Sequence, residues 1–144
     1  MTRPRGNPGR RRGSERRMDE LIEAAKAVLN NAYAPYSKFK VAAAVKTRSG
    51  KVYTGVNVEN ASYGLTVCAE RVAVFKAVSE GDRDIEVVAV YVDADEPVAP
   101  CGACRQVIAE FNPNALVVMA GRNKVKTARL SELLPMAFTG ERLR

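Results

Sequence analysis

The sequence predicts an α/β fold, a three-layer α/β/α sandwich around a mixed sheet of about five strands. Three observations lead there. Helical and strand periodicities alternate along the chain, as they do when helices cover both faces of one sheet. The 144 residues suit one domain that buries a core without disulfide staples. Hydrophobic residues at 47% and charged residues at 27% match the usual globular mix, and the apolar runs are short pieces such as Val41 to Val45, which excludes a helical membrane span.

Each element has its own signal. Met18, Leu21, Ile22, Ala25, Val28, Leu29 and Ala32 recur at helical spacing, with Asp19, Glu20 and Glu23 near the start, where the helix dipole favours acids. This amphipathic helix stops before Ala34-Pro35, because proline disfavours the helical region for the residue ahead of it. Phe39, Val41, Ala43 and Val45 alternate, and a second alternating run from Val52 to Glu59 follows the turn Thr47-Arg48-Ser49-Gly50; together they predict a hairpin. Ala69 to Val78 is helical and apolar on most sides, a buried helix ended by Ser79-Glu80-Gly81. Valine-rich Glu86 to Val92 predicts an interior strand. After the acidic loop Asp93 to Pro97, a helix carries Cys104, Val107, Ile108 and Phe111 on one face and ends near Asn112-Pro113. A strand at Ala115 to Met119, a short strand at Val125 to Thr127 and a helical turn around Leu130 to Leu134 follow.

The net charge of +7 is concentrated at one end. Residues 1–17 hold seven arginines and one acid, and residues 18–144 are nearly neutral. We therefore expect residues 1–17 to be a disordered basic leader and residues 18–144 to be the folded domain. An RNA-binding arm is the rival reading, but arginine without interleaved aromatics offers attraction and no stacking platform, so nucleic acid is not the expected partner. The start also lacks the apolar core of a secretory signal, and the expected location is the cytoplasm. With no histidine, Ser-His-Asp and Cys-His nucleophiles and imidazole metal sites are excluded; any metal must sit on sulfur and oxygen.

Cys101 and Cys104 form a C-x-x-C at the predicted start of one helix, and Cys68 stands at the start of another. A helix N-terminus lowers a thiol's pKa and so favours the thiolate that binds metal. Residues i and i+3 of a first turn reach one side and can share one ion, and three thiolates leave the open tetrahedral position of a catalytic zinc site. Glu70 lies two residues beyond Cys68, well placed to exchange protons with whatever fills that position. Cys-x-Glu followed by Pro-Cys-x-x-Cys resembles the pattern of zinc deaminases acting on nucleobases, with Cys68 in place of a histidine. A dithiol oxidoreductase is the competing reading of Cys-Gly-Ala-Cys, though it leaves Cys68 and Glu70 unexplained.

Four stretches carry a closer resemblance: Tyr33-Ala34-Pro35-Tyr36-Ser37-Lys38-Phe39, Thr54-Gly55-Val56-Asn57-Val58-Glu59-Asn60-Ala61-Ser62-Tyr63, Cys68-Ala69-Glu70-Arg71 and Pro100-Cys101-Gly102-Ala103-Cys104-Arg105-Gln106. They resemble the small homotetrameric cytidine deaminases of nucleoside salvage, over about Met18 to Phe138. The resemblance implies hydrolytic deamination of cytidine and 2′-deoxycytidine, with one zinc per subunit on Cys68, Cys101 and Cys104 and with Glu70 as proton shuttle. It also implies that Asn57 and Glu59 bind the sugar at its 3′-hydroxyl, that Ala69 contacts substrate, and that Phe39 packs on the pyrimidine. Phe138 would come from a neighbouring subunit, and Arg71 would hydrogen-bond the zinc thiolates. A polynucleotide cytosine deaminase is a further alternative, but a phosphodiester at the 3′-oxygen would leave the sugar-binding groups unpaired. Where the family has glycine after Lys-Phe-x-Val this chain has Ala42, and the added methyl is expected to tighten the substrate wall.

Overall fold

In a computed structural model, which describes residues 13–143, the amphipathic stripe of the first helix, α1 (Gly13–Val28), covers one face of a sheet. Leu21, Ile22 and Ala25 join Ala42, Ala44, Ala89 and Val118 in one core. The strands are β1 (Ala42–Thr47), β2 (Val52–Val56), β3 (Ile85–Tyr91), β4 (Leu116–Ala120) and β5 (Val125–Arg129), in the order β2-β1-β3-β4-β5. β3 and β4 run parallel, and the other neighbours are antiparallel. On the opposite face lie α2 (Ala69–Ser79) and α3 (Gly102–Phe111), whose Ala73, Val74 and Ile108 pack with Ala43, Val45, Val88 and Val117. Successive strand residues thus serve alternate cores, and the three-layer mixed sheet of five strands is as the sequence predicts. A short α4 (Leu130–Leu133) follows β5.

Gly55 on β2 is what lets α2 lie so close. A Cβ there would stand 2.5 Å from the Ala73 backbone nitrogen and 2.6 Å from the Ala69 carbonyl oxygen. Since Ala69 begins the helix that carries Glu70, this close approach fixes the height of the site above the sheet.

Several boundaries differ from the sequence reading. α1 starts at Gly13, so residues 13–17, assigned on composition to the leader, form its first turn; residues 1–12 lie outside the described residues. β1 begins at Ala42, and Phe39 and Val41 precede it although their alternation is in phase. The cause is side-chain pairing: the Asn57 Oδ1 accepts the Val41 N–H at 2.9 Å and so replaces a strand partner there. β2 likewise ends at Val56, after which Val58 leaves β1 to bridge Tyr33 and Val67. Ala42 does not tighten the substrate wall. Fully buried, it belongs to the α1-side core, while neighbouring Val41 packs against the other one.

The β1–β2 turn is tied to the α2–β3 connection by one carboxylate. Asp82 Oδ2 accepts hydroxyls from Thr47 at 2.6 Å, Ser49 at 2.8 Å and Tyr53 at 3.0 Å. Those bonds, Thr47 first, hold the Asp82 pKa below its ordinary value. The ionised form therefore favours the fold: its contribution is complete above the unfolded value of about 3.9 and is lost as pH falls through the lower folded value. Asp82→Asn is expected to lower Tm by a few degrees at pH 7, with the gap to wild type closing below about pH 4. Calorimetry across that range checks it, and a gap independent of pH would assign the loss to shape rather than charge.

Candidate active site

The two helices beneath the sheet begin at the residues that the sequence singled out. Cys68 is the N-cap of α2 and Cys101 the N-cap of α3, and neither side chain caps its own helix. The sulfurs turn instead toward one another. Cys68 Sγ lies 3.7 Å from Cys101 Sγ, Cys101 Sγ lies 3.4 Å from Cys104 Sγ, and all three fall within 4.8 Å. A disulfide needs about 2.05 Å, and all three cysteines are free. Around a tetrahedral ion with metal–sulfur bonds of about 2.3 Å, sulfurs stand about 3.8 Å apart, so the donor set and its spacing fit zinc. A dithiol couple would use Cys101 and Cys104 and leave Cys68 without a role.

The electrostatics favour thiolate. Cys68 is pulled down to about 5, first by its hydrogen bond with Cys104 and then by the Arg71 guanidinium. Cys104 is pushed upward by its contact with Cys68 and by burial. Arg71 Nη2 stands 3.5 Å from the Cys68 sulfur and 3.5 Å from the Thr66 carbonyl oxygen. Were zinc held by three thiolates the site would carry a formal charge of −1, and a guanidinium at that distance would draw off some of it.

Cys68 and Cys101 line a cavity of about 320 Å³, with Cys104 buried behind them. Phe39, Asn57, Glu59, Ala69 and Glu70 line it too, so most of the predicted substrate residues are brought to one space. Glu70 is 4% exposed, and burial, helped by the negative Cys68, pushes its carboxyl up to about 7. A carboxyl there can both take and give a proton near neutral pH. The volume sits at the small end of the usual ligand range, which suits a nucleoside. A larger groove, about 400 Å³, opens at the opposite strand ends between Arg17, Lys46, Glu86 and Arg129 and contains none of the predicted residues.

Phe138 is not in the cavity. The residue is 60% exposed, and its carbonyl oxygen accepts a hydrogen bond from Gln106 Nε2 at 2.7 Å. Arg105 holds the same C-terminal segment, donating from Nε to the Pro100 oxygen at 2.7 Å and from Nη1 to the Leu133 oxygen at 2.8 Å. Sequence reasoning quoted Arg105 and Gln106 within a motif and gave them no task, since a long polar side chain that binds a distant carbonyl leaves no periodic signal. Ser37 was missed in the same way. Its hydroxyl donates to Glu59 Oε2 in a short hydrogen bond.

The profile described as the cytidine and deoxycytidylate deaminase zinc-binding region matches residues 15–120. The chain belongs to that family. It is 52% identical over 123 residues to a cytidine deaminase of Halalkalibacterium halodurans, a match covering 84% of this chain and 93% of the relative. It is 46% identical over 128 residues to a cytidine deaminase of Sporosarcina psychrophila, covering 88% and 94%. Among solved structures, the cytidine deaminase of Burkholderia pseudomallei superposes with a TM-score of 0.80 at 51% identity, covering 83% of this chain and 98% of that one. The family's zinc accounts for the three-sulfur cluster, which among the described residues is the group able to hold a metal ion.

Proposed function

We propose that this protein is a zinc-dependent deaminase that hydrolyses cytidine and 2′-deoxycytidine to uridine and 2′-deoxyuridine, releasing ammonia. The observation that carries the reading is one cavity shared by a buried carboxyl, Glu70, two thiols of the metal cluster and the pair Asn57 and Glu59. Cys68, Cys101 and Cys104 would hold one zinc per subunit. Bound there, zinc is a Lewis acid that brings the pKa of water toward neutrality and supplies the nucleophile.

Glu70 carries the protons. The water oxygen ends as O4 of uracil, one of its protons ends on N3, and the other leaves on ammonia. A carboxyl that takes up each proton and passes it on closes that balance without another acid or base. Phe39, at the wall of the cavity, would pack on the pyrimidine, and the backbone around Ala69 would border it. Asn57 and Glu59 would hold the sugar and favour a free nucleoside over a polymer, since a phosphodiester at that hydroxyl would leave them unpaired at a cost of about 1–3 kcal/mol each. Thiols that stay reduced suit the cytoplasm, where we place the reaction. Among the described residues no helix is long and apolar enough to cross a membrane. The test is direct: the zinc-loaded protein should convert both nucleosides with one ammonia released per uridine formed. No turnover of either nucleoside would refute the reading.

We place the working form as a homotetramer with shared sites. Phe138 is exposed and does not line the chain's own cavity, and Tyr33, Tyr63, Leu65 and Met136 are 55%, 77%, 65% and 95% exposed, leaving apolar side chains that a neighbouring subunit would cover. Leu133 and Leu134, by contrast, pack against the chain's own core, so truncation before them would damage the fold. Phe138→Ala is the cleaner probe: Tm should hold while KM rises several-fold, as expected for an aromatic contact worth about 1 kcal/mol. Light scattering and assay over a dilution series should show activity falling with dissociation, and a monomer fully active at every concentration would exclude the shared site.

A further inference from the structure

We propose that Ser37 is a positioning residue for substrate binding. Its hydroxyl locks the Glu59 carboxylate so that a single acceptor position remains open, and Glu59 then reads one sugar hydroxyl. The proposal rests on the reading of Glu59 as a sugar ligand.

The argument is a count of donors and acceptors. A carboxylate offers about four lone-pair positions. Glu59 Oε1 accepts the backbone N–H of Tyr36 at 3.0 Å and of Ser37 at 3.1 Å, which fills it. Oε2 accepts the Ser37 hydroxyl and has one position left. The direction of that hydroxyl is settled by its other partner. The Phe39 N–H donates to Ser37 Oγ at 3.0 Å, and because an N–H cannot accept, the lone proton of Ser37 goes to Glu59.

The same serine joins the sugar carboxylate to the aromatic wall. Phe39 is held at its N–H by Ser37 and at its carbonyl by Asn57 Nδ2, 2.9 Å away. Between the two residues, Lys38 sits at φ 62°, in the left-handed region that a side chain disfavours, with its N–H on the Ala34 oxygen at 3.0 Å. A loop in that conformation persists only where neighbouring contacts over-determine it, and the Ser37 bridge is one of them. Losing the hydroxyl would leave the carboxylate held at Oε1 alone, with two acceptor positions open on Oε2, and the Phe39 N–H without its partner.

The experiment compares kcat/KM for cytidine and 3′-deoxycytidine in the zinc-loaded wild type, Ser37→Ala, Ser37→Thr and Glu59→Ala. In Ser37→Ala the value for cytidine should fall about tenfold further than that for 3′-deoxycytidine, mostly through KM. Ser37→Thr keeps a hydroxyl and should restore the preference for cytidine. If Ser37→Ala lowers both substrates equally, or neither, while Glu59→Ala still removes the preference for cytidine, the sugar reading stands and the role of Ser37 is overturned. If Glu59→Ala treats the two substrates as wild type does, the sugar reading fails, and the role of Ser37 fails with it.

Discussion

Replacing Glu70 with glutamine is expected to lower kcat by about 10²–10⁴-fold while the fold and the metal stay in place. The side chain is 4% exposed at the first turn of α2, so a substitution must match its volume to leave the helix undisturbed, and glutamine does. What glutamine lacks is the ability to take a proton from water and hold it for N3 and the amine. Because the proposed role covers both transfers, the loss should lie toward the upper end of that range. KM should change little, since the role belongs to the transition state rather than to ground-state binding. Zinc content and Tm must be measured on the same preparation, because the three sulfurs do not depend on the carboxyl for their spacing. A variant with normal zinc that keeps more than about a tenth of the rate would remove Glu70 from the proton path.

How far the sequence revealed this site depends on the kind of signal each residue leaves. The cysteines were legible because C-x-x-C at a helix start has a spacing with a physical meaning, and the structure does bring Cys68 within 3.7 Å of Cys101. The first two strands were legible from period-two alternation and the third from its run of valines, and their ends were not. Alternation continues through Phe39 and Val41, yet Asn57 replaces the strand partner with a side-chain amide, and no hydrophobic pattern records such a substitution. The alternating run from Val52 to Glu59 put Asn57 and Glu59 on the second strand. They reach one cavity from just beyond β2, where Val58 is pinned by backbone bridges on both sides. Ser37, Arg105 and Gln106 were illegible because each acts on a group 22 to 32 residues away, a relation that only the folded chain creates.

Cys104→Ser is expected to abolish zinc binding and activity together and to lower Tm by on the order of 10 °C, combining the lost metal tie with a buried hydroxyl in place of a sulfur. Cys104 is fully buried, one helical turn beyond Cys101 and behind the two sulfurs that line the cavity. Serine is a poor donor to a soft site, and its hydroxyl would have to replace the sulfur contact with Cys101 at 3.4 Å from a shorter side chain. The consequence reaches the fold because the cluster is where the N-termini of α2 and α3 meet, so an ion held by Cys68 and Cys101 with Cys104 ties two helices that lie on one face of the sheet. Chelation separates this tie from simple packing damage. A chelator should lower the Tm of the wild type and leave that of Cys104→Ser where it is, since the variant has no metal to lose. If the variant bound zinc stoichiometrically and turned over cytidine at the wild-type rate, Cys104 would be a packing residue and the metal site would have to be built from other donors. The contrast with Glu70→Gln tests the mechanism: both variants should lose activity, but only one of them should lose the ion, and that difference would separate the group proposed to move protons from the groups proposed to hold the metal.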